Sequence, residues 1–120
     1  MNFGKFFRDK RISLGLTLRA FCEQYSYDPG NSSKLERNIL SPSLDNETLA
    51  GYARALKIKK DSEDWVLFHD LAHTAKGQIP KDILNNPQSN RILPLFFRTA
   101  RGKKLTKKQL EELIDLLNES

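Results

Sequence analysis

Apolar residues recur at intervals of three and four positions along almost the whole chain, the spacing that places them on one face of an α-helix. The first such set predicts a helix whose inner stripe is Phe3, Phe6, Phe7, Ile12 and Leu14. Gly15 is expected to end this helix, since glycine is favoured just past a helix C-terminus. Thr17 then stands where the N-cap of a second helix is expected. The inner face of that second helix carries Leu18, Phe21, Cys22 and Tyr25.

A third helix is predicted over Asp28–Asn38. Asp28 followed by Pro29 is typical of an N-cap and a first helical residue. An irregular link follows, and apolar spacing predicts a fourth helix over Asn46–Leu56 and a fifth over Ser62–Ala75.

The remainder of the chain is also predicted to be helical. Gly77 and Pro80 interrupt the pattern, and shorter helices are expected near 81–85 and 89–99. A last helix is expected at 107–118, where Thr106 and Gln109 can form a capping box. No segment alternates apolar and polar residues as a strand does, so we predict an all-α fold.

The composition is that of a small protein with a core of its own. Of the 120 residues, 38% are hydrophobic, and this length is usual for one domain or for a small domain with an added segment. The single Cys22 can form neither an intrachain disulfide nor a cysteine zinc site, which favours a reducing environment. Because Cys22 lies on the inner face of the second helix, we expect it to be a buried small residue. No apolar run approaches the ~20 residues of a membrane span, and no signal-peptide core is present. We therefore expect a cytoplasmic protein with no membrane contact.

The excess positive charge lies in the first half of the chain. Residues 1–60 carry eleven Lys and Arg against six Asp and Glu, whereas residues 61–120 carry nine of each, so the net charge of +5 belongs to the first half. A basic half joined to a neutral one favours a polyanion-binding module with an added element for another task. The alternative is that these are ordinary solubilising side chains.

Two short helices joined by a tight turn in a basic all-α module are typical of a helix-turn-helix. In that arrangement the first helix crosses the DNA backbone, and the N-terminal residues of the second helix enter the major groove. The predicted base-reading residues are Pro29, Gly30, Asn31, Ser33 and Lys34. The predicted phosphate contacts are Thr17, Arg19, Arg37 and Ser41. Pro29 and Gly30 offer no side-chain hydrogen bonds, so Asn31, Ser33 and Lys34 are the candidates for direct readout. Asparagine suits adenine and lysine suits guanine.

Several motifs occur in a fixed order along residues 3–75. They are Gly15-Leu16-Thr17-Leu18-Arg19, Leu35-Glu36-Arg37-Asn38, Ser41-Pro42-Ser43, and the set Leu49, Ala53, Ala55 and Leu56. Together they resemble the XRE family of phage-repressor-like helix-turn-helix regulators. The resemblance implies a five-helix domain that binds operator DNA, normally as a dimer, with Glu36 in a structural role and Arg37 on a phosphate. The chain departs from the family pattern at Ser26 and Asn38, where glycine is usual, and at Ser32, where an apolar residue is usual.

The second half resembles a C-terminal extension carried by some XRE regulators, through Gly77–Ile83 and Leu93–Thr99. Some such regulators are encoded beside a metallopeptidase that cleaves its repressor, and others act as antitoxins, so a metallopeptidase or toxin partner is an alternative. We divide the chain into a DNA-binding domain at 1–76 and a helical segment for dimerisation or partner contact at 77–120. The predicted dimerisation residues are Phe96, Phe97, Leu110, Leu113, Ile114 and Leu117. A two-fold homodimer predicts a palindromic operator.

Two other features of the sequence carry candidate chemistry or charge. His69-Asp70-Leu71-Ala72-His73 is close to the H-E-x-x-H motif of zinc hydrolases, but aspartate is shorter than the required glutamate and the chain has no third histidine. The lysines at 103, 104, 107 and 108 form either a solvated face or a further contact. We expect no metal, no cofactor and no enzymatic activity, and predict a dimeric repressor. The alternative from another class is a protein-interaction module without specific DNA binding.

Overall fold

A computed structural model describes residues 1–118, apart from the side chain of Leu117. Within that range the chain is all-α, with eight helices and no strand, as predicted. The helices are α1 (Phe3–Ser13), α2 (Leu18–Tyr25), α3 (Pro29–Glu36), α4 (Asn46–Ala55), α5 (Glu63–Ala75), α6 (Lys81–Leu84), α7 (Pro87–Ala100) and α8 (Lys107–Asn118). None of these helices has the length and apolar character needed to cross a membrane. The chain forms two compact units, Met1–Ile79 and Pro80–Ser120.

Short-range caps set where the helices begin. The predicted N-caps of α2 and α3 are confirmed: Thr17 Oγ1 accepts from the Ala20 N–H at 3.1 Å, and Asp28 Oδ2 accepts from the Asn31 N–H at 2.7 Å. The capping box before α8 is also confirmed. Its two hydrogen bonds, between Thr106 and Gln109, measure 2.9 and 3.1 Å. Each cap satisfies a backbone N–H that the helix itself cannot pair.

A cluster of aromatic side chains lies in the core of the first unit. Phe3 and Phe7 of α1 pack against Phe68 and Phe21, with ring centroids 5.0 and 5.7 Å apart. All four rings are buried, and each such side chain contributes about 1.5–3 kcal/mol when it leaves water. Cys22 is buried in the same core, as predicted.

One position of the predicted α1 stripe is wrong. Ile12 is 51% exposed, and the adjacent Arg11 is buried instead. The reason is helical register: Arg11 follows Phe7 by four residues and shares its face, whereas a residue five positions on points elsewhere.

The second unit is built from α6, α7 and α8. Leu95 of α7 and Leu116 of α8 are its buried apolar side chains among the described residues. Leu116 is not among the residues predicted for dimerisation.

Candidate nucleic-acid interface

The turn between α2 and α3 depends on a left-handed serine. Ser26 has φ 60° and ψ 41°, the conformation that glycine usually provides and that other residues adopt at a cost. The next residue, Tyr27, donates its N–H to the Cys22 carbonyl at 3.0 Å. Its ring stacks on Phe21 with centroids 5.8 Å apart and an interplanar angle of 20°. The turn is therefore fixed to α2 by one hydrogen bond and one aromatic contact.

A nearly buried ion pair connects α3 to α1. The Arg11 guanidinium donates from Nε and Nη2 to the two carboxylate oxygens of Glu36, at 2.8 and 2.9 Å. Nη1 donates to the Leu16 carbonyl at 2.7 Å. Hydrogen bonding to Glu36 raises the pKa of Arg11 above its ordinary value. Arg11 is the partner of Glu36 in the structural role expected for that residue. Sequence reasoning missed Arg11, although it lies on the apolar face of α1.

The far end of α3 is held against the start of α1. A Cβ atom at Gly4 would lie 2.5 Å from the carbonyl oxygens of Leu35 and Glu36, so this approach requires glycine. Asn38, in the left-handed region with φ 58°, accepts the Gly4 N–H at 3.0 Å. Its side-chain amide also donates to Asn2 Oδ1 at 2.9 Å. Asn38 thus adopts a conformation typical of glycine, and its side chain joins the ends of two helices.

The predicted base-reading residues lie together on α3. Pro29, Gly30, Asn31 and Lys34 are exposed and Ser33 is half-buried, whereas Ser32 and Leu35 are buried. Gly30, Lys34 and Arg37 are spaced by four and three residues, so they share the side of the helix opposite the buried pair. The structure thus places the proposed readers at the surface.

The predicted phosphate contacts differ in how free their polar groups are. Thr17, Arg19 and Arg37 are exposed, and the Thr17 hydroxyl can still donate after accepting its capping bond. Ser41 is exposed, but its hydroxyl donates to the Ala75 carbonyl at the end of α5, at 3.2 Å. Ser41 can therefore contact a phosphate through its backbone N–H, or through its hydroxyl only if the hydrogen bond to Ala75 breaks.

The exposed charged side chains of α2 and α3 are Arg19, Glu23 and Lys34, and Arg37 directly follows α3. Among the described residues, the ion pairs are Lys5–Asp9, Lys10–Asp64 and Arg11–Glu36. Arg19, Lys34 and Arg37 are therefore left without a carboxylate partner in that part of the chain. Glu36, the one acidic residue within Pro29–Glu36, has a nearly buried side chain that is paired with Arg11. Asp28 remains at the N-terminus of α3, where its carboxylate caps the helix.

The predicted dimerisation residues leave apolar surface on the second unit. Phe96 is 62% exposed, and Leu110 and Ile114 are each 48% exposed. Phe97 and Leu113 are half-buried, and the side chain of Leu117 lies outside the described part of the chain.

The two histidines of α5 are bound to their own helix. His69 Nδ1 lies 2.9 Å from the Trp65 carbonyl oxygen, and His73 Nδ1 lies 2.8 Å from the His69 carbonyl oxygen. Among residues 1–118 as described, no group of three or more His, Cys, Asp and Glu side chains is placed to hold a metal ion.

Comparison of the chain with protein-family models, with curated proteins and with solved structures gives no match.

Proposed function

We propose that this chain is a sequence-specific DNA-binding regulator that inserts α3 into the major groove of double-stranded DNA. The observation that carries the proposal is the division of α3 into two sides. Its buried side is fastened to α1 through Arg11 and Glu36, while its opposite side exposes Lys34 and Arg37. A rigid helix with an exposed cationic side is what insertion into a groove lined by phosphates requires.

The residues of this surface have distinct roles in the proposal. Lys34 donates to the O6 and N7 acceptors of guanine, and the Asn31 amide pairs with adenine. Thr17, Arg19 and Arg37 contact phosphates and fix the register of the protein on the duplex. Occupation of a promoter in this way represses transcription by exclusion and needs no chemistry or cofactor, in line with the resemblance to XRE regulators.

The same proposal includes a homodimer formed through the second unit. Phe96, Leu110 and Ile114 provide exposed apolar side chains for contact with a second copy. A two-fold dimer places its recognition helices ~34 Å apart, one turn of DNA, and reads a palindromic operator.

The test is fluorescence anisotropy with duplex DNA from immediately upstream of the gene, compared with a scrambled duplex at physiological salt. If the upstream duplex shows no preference, a site selected from a random duplex pool replaces it. We expect a preference of ~10³ or more for the cognate duplex. Equal binding to every duplex, including the selected pool, would exclude a sequence-specific regulator.

Variants test the assignment of α3. Lys34→Ala should cost ~1–3 kcal/mol on the cognate site alone, whereas Arg37→Ala should weaken binding to all duplexes and lower the salt slope by about 1. The matched control removes the same charge from exposed residues elsewhere, with Lys59→Ala and Lys81→Ala in one chain. Helical circular dichroism verifies folding of each variant. If the control loses as much affinity as the Lys34→Ala, Arg37→Ala double variant, α3 is not the reader.

A further inference from the structure

A groove lies between α4 and α5, on residues that the DNA proposal does not use. Ala50 and Arg54, four residues apart, line it from α4, and Trp65 and His69, also four apart, line it from α5. Ile58 and Lys60 line it from the segment that connects the two helices. Its volume is about 520 Å³, within the range of roughly 300–1,000 Å³ that small-molecule sites occupy.

The wall of the groove offers a flat apolar surface. Ile58 is buried, and the Trp65 indole is half-buried, so part of its ring remains accessible. The His69 ring lies 4.5 Å from the indole, centroid to centroid. Because a carbonyl oxygen can only accept, His69 Nδ1 donates to Trp65 O and Nε2 is left for a ligand.

The charges that line the groove are all positive. Arg54 and Lys60 are exposed, and neither has an ion-pair partner among the described residues. No carboxylate lines the groove. Asp64, the neighbour of Trp65 in the chain, is paired with Lys10. Two cations without counter-ions beside an aromatic wall favour a ligand that carries a negative charge on a flat apolar body.

We propose that this groove binds a small organic anion of the aromatic carboxylate type. The ring of the ligand stacks on Trp65, and its carboxylate pairs with Arg54 and Lys60. The size of the groove fits a small molecule rather than an extended peptide. The proposal is independent of DNA binding, since it involves none of the residues assigned to α2 and α3.

The experiment follows the indole N–H of Trp65 by NMR. Trp65 is the only tryptophan in the chain, so this resonance needs no separate assignment. The full chain is titrated with naphthoate, with naphthylmethanol, which has the same ring without the charge, and with inorganic phosphate, which has charge without a ring. We expect a saturable shift with naphthoate and affinity at least about tenfold weaker for the other two probes.

A charge-matched pair of double variants completes the test. Arg54→Gln with Lys60→Gln should lower naphthoate affinity at least about tenfold. Arg8→Gln with Lys59→Gln removes two exposed cations that do not line the groove and should leave that affinity unchanged. The dispersion of the backbone resonances shows that each variant is folded. No indole shift with naphthoate, equal binding of naphthylmethanol or phosphate, or equal loss in both double variants would overturn the proposal.

Discussion

Arg11 and Glu36 meet in a two-point guanidinium–carboxylate contact although they lie 25 residues apart, on α1 and α3. Their side chains are only 10% and 6% exposed. Such bidentate pairs are directional as well as strong, so the contact fixes the rotation of α3 relative to α1. It also withdraws the acidic group of α3 from the surface that would face DNA.

Removing one partner of this pair should destabilise the fold strongly. Glu36→Gln leaves the guanidinium of Arg11 nearly buried without a counter-ion, a change that costs about 3–5 kcal/mol. Urea denaturation followed by circular dichroism measures the free energy of unfolding. Replacing both partners, with Arg11→Met and Glu36→Leu, should recover much of the loss, because no uncompensated charge remains. A double variant as unstable as Glu36→Gln would mean that the pair contributes through more than charge compensation.

Gly4 should tolerate no side chain. In Gly4→Ala the Cβ atom would meet two backbone carbonyl oxygens of α3 at 2.5 Å, which forces α1 and α3 apart. We expect a loss of about 1–3 kcal/mol or more, as for other overpacked sites. Gly51→Ala in α4 is the control, because its nearest atom would be the Tyr27 hydroxyl at 3.4 Å, an ordinary contact. That variant should be as stable as the parent or up to about 1 kcal/mol more stable. Equal destabilisation of both variants would contradict the close approach at Gly4.

Replacing Ser26 by glycine should stabilise the fold. Its φ of 60° strains a residue that has a Cβ atom, and its side chain is exposed. We expect Ser26→Gly to raise the free energy of unfolding by about 0.5–1 kcal/mol, after the entropy cost of glycine is deducted. Ser26→Ala keeps the strain and should show no gain. A loss of stability in Ser26→Gly would indicate that the serine side chain supports the turn.

High pH should weaken the fold through two tyrosines. The rings of Tyr27 and Tyr52 lie 5.0 Å apart, and burial raises the pKa of each above its ordinary 10.0. The folded state thus holds these phenol protons more tightly than the unfolded state. The contribution of the two neutral tyrosines to the free energy of unfolding is therefore complete below the ordinary pKa and is lost as the pH rises through the raised pKa values of the folded state. Urea midpoints measured from about pH 8 to about pH 11 should fall at the upper end. A chain with Tyr27→Phe and Tyr52→Phe should show a smaller fall, and an unchanged fall would assign the effect to other groups.

Local signals made most of the helices predictable. Thr17, Asp28 and the Thr106–Gln109 box act within three residues of themselves, so the printed sequence contains all the partners involved. The left-handed conformation of Asn38 is also local in origin, because asparagine tolerates it better than most residues.

The contacts that build the candidate surfaces were less accessible to sequence reasoning. The Arg11–Glu36 pair joins different helices, and apolar periodicity gives no sign of a buried charge. The hydroxyl of Ser41 is engaged by Ala75, 34 residues away, which no local pattern reveals. The groove beside Trp65 exists only because α4 and α5 pack side by side.

Dimerisation through α8 is the last prediction. Leu110 and Ile114 are each 48% exposed and four residues apart, so they form one apolar strip on that helix. We expect the full chain to sediment as a dimer. The double variant Leu110→Ser with Ile114→Ser should weaken self-association about 100-fold, because each buried aliphatic side chain lost at an interface costs about 1.4 kcal/mol or more. The control is Val66→Ser with Leu67→Ser, because these residues are also exposed aliphatic side chains on a helix, here α5. Dissociation of the control instead of the α8 variant would place the interface on the first unit. A monomeric parent chain would contradict the homodimer in the proposed function, and with it the palindromic operator.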